Sequence, residues 1–314
     1  MLTKRILKIV CLLLFASTAI AAQTSGKDTL SILFTGDVLL DRGVRVEIEK
    51  RGIDELFSSV SPLFYEADAT VINLECPLTD RQTSLNKRFI FRGEPIWAKA
   101  LAKAGVTHAA MANNHTNDQG REGIRDTYKH LKEAGIAPLG YGITDEERSA
   151  PVVIAKGNVK VALFNTVLIP LEGWFPFEGK PGVCQHSTSK LSEVIKEYKR
   201  RYPETYIVVV VHWGAEYKTT PSVMQQQDAQ KLLQSGADVI VGHHPHVLQP
   251  VRKKGKKYVC YSLGNFVFDH KGERESASLI ARFDFSTEGI AYSSHEVKIV
   301  ACKPVLKSGF RKSR

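Results

Sequence analysis

Cysteine is scarce in this chain: five residues in 314, at Cys11, Cys76, Cys184, Cys260 and Cys302. None belongs to a Cys-x-x-Cys pair, so cysteine-ligated zinc has no support. So few, widely spaced thiols do not build a disulfide framework, even in an oxidising compartment. Cys76 and Cys260 sit within apolar, strand-like runs and read as small core residues. Internal repeats are absent, and past the amino-terminal segment no linker divides the chain, so one domain is expected. Beyond the amino terminus no apolar run approaches the roughly 20 residues of a membrane-spanning helix. No recognised nucleic-acid-binding motif occurs, which argues against a nucleic-acid partner.

The composition, 43% hydrophobic and 24% charged, is that of a globular protein able to bury a full core. The amino terminus reads differently. Lys4, Arg5 and Lys8 precede an apolar run from Ile9 to Ile20, and Ala19-Ile20-Ala21 supplies the small-x-small pattern of a signal-peptidase site. Residues 1–21 are therefore expected to be a cleaved leader and 22–29 a connector. The mature chain is expected in the periplasm or cell envelope, without a transmembrane helix. Loss of the leader lowers the formal charge from +10 to +7. The excess is local: Arg252, Lys253, Lys254, Lys256 and Lys257 crowd around Gly255, and a second basic run occupies the tail, 301–314. These runs read either as a solvated hairpin tip and a frayed end or as patches for an anionic polymer.

The candidate chemistry lies where apolar runs stop. Leu30 to Thr35 leads to Gly36-Asp37, with Asp41 following; Ala69 to Leu74 leads to Glu75; Val106 to Ala112 leads to Asn113-Asn114-His115 and Asp118. Tyr206 to Val211 leads to His212 and Glu216, and Val239 to Val241 leads to Gly242-His243-His244-Pro245-His246. Another run, Tyr258 to Leu263, exits through Asn265 and Asp269. Helical spacing between the runs makes this an α/β chain, and strands of one parallel sheet bring their carboxyl ends together. Single members have plainer readings: Asp37 and Asp118 as helix caps, Glu216, Asn265 and Asp269 as capping or turn residues. Five strand ends carrying carboxylate, amide or imidazole groups favour one shared metal site. The ligand number suits two divalent ions sharing a carboxylate, and mixed nitrogen and oxygen donors suit Mn, Fe, Zn or Co better than Mg or Ca. Ser278–Phe285 and Ile290–Ile299 should close the sheet as antiparallel edge strands, and Arg88–Gly93 reads as a short hairpin element. The aperiodic stretch Ile169–Gln185, with Trp174, Phe175 and Phe177, reads as a substrate lid or as a loop packed on the surface.

Six ordered segments carry a family resemblance: Gly36-Asp37…Asp41, Asn73-Leu74-Glu75, Asn113-Asn114-His115…Asp118, His212-Trp213-Gly214-Ala215-Glu216-Tyr217, His244-Pro245-His246-Val247-Leu248-Gln249 and Tyr261-Ser262-Leu263-Gly264-Asn265-Phe266. They resemble the motif set of the bacterial capsule-synthesis (poly-γ-glutamate capsule, CapA-like) family, which is similar to calcineurin-like metallophosphoesterases. The resemblance implies a layered α/β sandwich with mixed sheets over residues 30–300 and a site at the carboxyl ends of strands. It implies Asp37 and His246 on a first metal, Asn114, His212 and His244 on a second, and Glu75 as the bridging carboxylate. His115 would face the substrate as general acid or electrostatic stabiliser. Asp41, Asp118, Glu216, Asn265 and Asp269 are further candidates, and His243 is not a ligand. Where the phosphoesterases have Asp-x-His, Val38 and Leu39 follow Asp37, and Asp41 is the residue that would compensate. The implied function is a metal-dependent hydrolase in poly-γ-glutamate or other envelope-polymer metabolism, acting on an anionic polymer or a phosphoester. The alternatives are a γ-glutamyl amide hydrolase and a non-catalytic polymer-binding or assembly protein working with other capsule-synthesis proteins.

Overall fold

Period-two alternation in two sets of strands decides the layering. The protein, seen in a computed structural model, is described over residues 28–83, 86–171 and 174–312, so the expected leader lies outside the described residues. The chain opens with β1 (Leu30–Val38), α1 (Gly43–Arg51), α2 (Ile53–Phe57), α3 (Ser61–Tyr65), β2 (Ala69–Leu74), α4 (Trp97–Lys103), β3 (His108–Ala110), α5 (Gly120–Glu133) and β4 (Ala137–Leu139). It continues through β5 (Tyr141–Gly142), α6 (Asp145–Ser149), β6 (Val152–Lys156), β7 (Val159–Val167), β8 (Gly182–Val183), α7 (Thr188–Arg201), β9 (Tyr206–His212), α8 (Val223–Ser235) and β10 (Val239–His243). Six strands finish it: β11 (Leu248–Lys254), β12 (Lys257–Leu263), β13 (Asn265–Val267), β14 (Ala277–Ser286), β15 (Gly289–Val300) and β16 (Lys303–Lys312).

The first sheet runs β16-β15-β14-β1-β2-β3-β4, with β13 also paired to β1; the second runs β11-β12-β10-β9-β7-β6. Leu30, Ile32 and Phe34 of β1 meet Val208 and Val210 of β9 and Val239 and Val241 of β10 in the core between the sheets. Side chains one residue out of phase point the other way. Leu33 and Ile72 pack against α1 to α5, and Ile207, Val209 and Ile240 pack against α7 and α8. The result is a helix–sheet–sheet–helix sandwich with mixed sheets, as the resemblance implies.

Several expectations from the sequence need correction. The five strand ends do not belong to one parallel sheet: Asp37, Glu75 and His115 lie at or beyond the carboxyl ends of strands of the first sheet, His212 and His244 at those of the second. Buried strands on both faces look alike as apolar runs, so hydrophobicity does not say which sheet a strand joins. Strand β14 is interior, between β15 and β1, and the edge is β16, built from the tail expected to fray. Arg88–Gly93 forms no hairpin; Gly93 makes one isolated bridge to Leu78, and Asp118 and Asp41 accept the amides of Phe91 and Arg92. The loop after Ile169 carries β8, paired with β5, and buries Trp174 while Phe175 and Phe177 stay exposed. Cys76, Cys184, Cys260 and Cys302 are buried and free. The basic 252–257 turn closes the β11–β12 hairpin, and the parallel register Val239 to Tyr258 places it at the amino end of β10, opposite His244.

Candidate metal centre

Backbone contact comes first. A side chain at Gly36 would put its Cβ 2.1 Å from the Gly264 carbonyl oxygen, and one at Gly242 would lie 2.1 Å from that of Tyr261. Both glycines sit just before the ligand-bearing ends of β1 and β10, so their lack of a Cβ lets those ends close on neighbouring strands. His212 and His243 are register partners on β9 and β10. Beyond β10 the chain turns through His244 (φ 97°) and His246 (φ 56°) on either side of Pro245. A left-handed conformation at a residue with a Cβ costs on the order of 1–3 kcal/mol, and such positions concentrate at functional sites.

On this frame Asp37, buried inside β1, lies 3.0 Å from His243 Nδ1 and 3.4 Å from His246 Nδ1. Burial alone would raise its pKa, but hydrogen bonds from the two imidazoles hold it well below the usual carboxylate range. Glu75, equally buried, is pushed up by desolvation and then by the Asp37 charge. His246 Nε2 lies 3.6 Å from Glu75 Oε1. Burial works against charge on His246, but Glu75 and Asp37 outweigh it and carry its pKa up to about 9. Burial, then the His246 charge, drives His244 down to about 3; burial and His244 likewise hold His212 well below its ordinary value.

Ligand atoms of Asp37, Glu75 and His212 lie within 4.8 Å of one another, as do those of Glu216, His244 and His246. The resemblance implies a different division between the ions, although His246 touches both sets. Asn114 Oδ1 joins at 2.9 Å from His212 Nε2. Two candidates stand apart. Asp41 is engaged by Arg45 and the Arg92 amide, and Asp269 by Arg42 and the Gly43 amide, so neither faces the cluster. Asn265 Oδ1 takes His246 Nδ1 at 2.9 Å, which fixes the ring and turns Nε2 toward Glu75. Asp118 is no helix cap, since Gln119 takes that position before α5. Its carboxylate receives Lys87 Nζ, the Phe91 amide and, at 2.8 Å, His115 Nδ1. A carboxylate only accepts, so His115 carries its proton on Nδ1 and keeps Nε2 for exchange. Burial lowers the His115 pKa despite Asp118, so the resting ring is neutral.

Three contributors lie outside the ligand and catalytic set expected from the sequence. The Asn73 side-chain amide donates to Asp37 Oδ1 at 2.9 Å and Glu75 Oε2 at 3.3 Å. Its signal was available: Asn73 precedes Glu75 by two residues in a strand, and so shares its face. His243 holds Asp37 rather than a ligand position of its own, and Lys87 gave no signal at all.

The donor chemistry fits divalent metal ions. Glu75 Oε1 and His244 Nδ1 are buried with no hydrogen-bond partner, one in each ligand set. Such orphaned polar atoms are expensive unless something binds them. Hard oxygen and imidazole nitrogen together suit first-row divalent ions. A cleft of about 300 Å³, lined by Asn114, His115, His244 and Glu216, opens beside the cluster.

The fold is also found in known proteins. A candidate 5′-nucleotidase from Staphylococcus aureus superposes with a TM-score of 0.54 at 14% identity, covering 90% of this chain and 55% of that one. The chain shares the layered α/β fold of that protein, although it spans only about half of its length. "PGA biosynthesis protein CapA" of Bacillus subtilis is 31% identical over 270 residues, 85% of this chain and 70% of its own length. "Capsule biosynthesis protein CapA" of Bacillus anthracis is 32% identical over 270 residues, 84% of this chain and 66% of its own length. The family model described as bacterial capsule synthesis protein PGA_cap matches residues 31–270, and the chain belongs to that family.

Proposed function

We propose that this chain is an exported, metal-dependent hydrolase of envelope-polymer metabolism, cleaving a phosphoester or γ-glutamyl amide in an anionic polymer. The observation that carries the reading is a pair of buried ligand atoms that make no hydrogen bond, Glu75 Oε1 and His244 Nδ1, inside a cluster of carboxylates and imidazoles. Asp37, Glu75, Asn114, His212, His244 and His246, with Glu216, would hold two ions. Divalent cations in such a site make water acidic enough to attack at neutral pH and stabilise charge developing on oxygen. The chain's own groups supply orientation and proton transfer. Asn73 and His243 fix Asp37, Asn265 fixes His246, and Asp118 fixes His115. Neutral His115 takes a proton through Nε2 as water adds, and returns it to the leaving group. Its acid role thus follows from a proton gained in the cycle.

The polymer is inferred from the relatives, whose names concern capsule and PGA biosynthesis, and export from the leader-like amino terminus. A purely polymer-binding role has less support, because the basic 252–257 turn lies at the opposite end of the sheet from the cluster. The test is metal analysis of the purified protein, followed by assays with added Mn²⁺ for phosphate released from mono- and diesters and for cleavage of γ-linked polyglutamate. Metal uptake and turnover are expected, and both should vanish in the Glu75→Ala, His244→Ala double variant. Turnover surviving that substitution, or a protein that takes up no metal, refutes the proposal.

A further inference from the structure

The wall of the cleft facing the cluster of carboxylates and imidazoles carries two cations of different standing. Lys87 is committed: its side chain is 6% exposed, and its ammonium group bonds Asp118 and, at 2.9 Å, the Asn114 carbonyl. Arg88, the next residue, is exposed and lines the same cleft. Its guanidinium lies 5.1 Å from the centroid of the Phe89 ring, and among the described residues no carboxylate pairs with it. Phe89 stacks on Phe91 at 6.4 Å, and Phe91 lies 4.1 Å from the His115 ring. A ladder of three rings therefore ties the guanidinium to the histidine that exchanges protons. Stacking on an aromatic face restricts a guanidinium without using its hydrogen-bond donors, which stay directed to solvent.

We propose that Arg88 is the specificity-determining residue of the cleft: it takes an oxyanion carried by the substrate next to the bond being cleaved. The argument rests on the hydrolase reading above for which bond reacts, but not for the binding of the anion. A planar fork of donors suits a carboxylate or a phosphate equally, and binds either in bidentate fashion. Phe89, 47% exposed, offers the adjoining apolar surface for the methylenes that separate charged groups along a polymer. The acceptance of a polyanion then depends on the cleft itself and not on the distant basic turn.

The experiment measures equilibrium binding of a γ-linked glutamate trimer, its fully amidated neutral counterpart, and glycerol phosphate. Full-length protein is used in two preparations, stripped of metal and loaded with Mn²⁺, and Arg88→Ala and Arg88→Lys are compared with the parent. Metal content and the thermal midpoint are recorded for each and should match the parent, because Arg88 bonds none of the cluster. Arg88→Ala should weaken the charged trimer about tenfold or more, with Arg88→Lys recovering only part, and leave the amidated trimer unchanged. The same loss with glycerol phosphate but not with the trimer assigns the oxyanion as phosphate and supports the assignment of Arg88. Parental affinity of Arg88→Ala for both anions overturns it. A parent that takes up no metal defeats the hydrolase reading, yet the metal-free preparation still reports on Arg88.

Discussion

Removing metal should expose a pH dependence of stability whose alkaline limb belongs to His246. In the metal-free protein its pKa stands at about 9, against about 6.5 for an unfolded histidine. The folded state therefore binds the proton more tightly, and the resulting stability is fully present below pH 6.5 and lost as pH rises through 9. A difference of about 2.5 units at 1.36 kcal/mol each amounts to about 3 kcal/mol. Glu75, whose pKa is raised by burial and by Asp37, acts in the same direction. The acid limb has the opposite origin. His244, lowered to about 3, and His212 stay neutral when folded but take up protons on unfolding below pH 6.5, so stability falls again between pH 6.5 and 3. Urea midpoints measured with excess chelator should thus peak near pH 6.5. His246→Gln should flatten the alkaline limb, and Mn²⁺ should reverse it, because ligands must shed protons to bind metal. A flat profile from pH 6.5 to 9, or an alkaline limb as steep in His246→Gln as in the parent, contradicts this account of the buried charges.

Asn73→Ala should lower metal affinity 10–100-fold, read by calorimetry, since it frees both Asp37 and Glu75 from the donor that positions them. In Asn265→Asp the acceptor for His246 Nδ1 remains while the donor to the His246 carbonyl is lost; denaturant unfolding should show a loss of about 1–3 kcal/mol. Gly242→Ala forces a Cβ against the Tyr261 carbonyl at 2.1 Å, and the thermal midpoint should fall by the equivalent of about 2 kcal/mol or more. Lys87→Met removes a charge that depresses His115, so the acid limb of kcat/KM against pH should move to higher pH.

Much of the architecture was legible in the sequence because buried strands announce themselves. The runs Leu30–Thr35, Ala69–Leu74, Tyr206–Val211 and Val239–Val241 read as strands, and each ends within three residues of where the structure ends it. Sheet membership was not legible. An apolar run records burial on two faces but not the identity of the strands beside it, so the cluster was expected from one sheet and is assembled across two. The side chains that hold ligands were legible only where local periodicity applies. Asn73 sits on the Glu75 face by strand alternation, whereas Lys87 reaches Asp118 across 31 residues of chain that no local pattern spans. Asp41 and Asp269 misled because an acid near a strand end is as well explained by an arginine partner as by a metal, and Arg45 and Arg42 are those partners.

The turn after β10 shows why the cluster needs both sheets. His244 and His246 are held in left-handed conformations that a free loop would relax. Contacts on either side prevent it. The His246 carbonyl accepts from Asn265 at 3.2 Å, and Asn265 belongs to β13, paired with β1 in the first sheet. The Pro245 carbonyl accepts the Tyr217 amide at 2.8 Å, and the His243 carbonyl accepts the Trp213 amide at 3.1 Å, both from the segment after β9 in the second sheet. The same Asn265 that holds the backbone of His246 also fixes its ring. Strain in the turn and orientation of the ligand are therefore one constraint, set by the packing of the two sheets. A site assembled within one sheet would leave the turn tethered on one side only, with its strain free to dissipate into solvent.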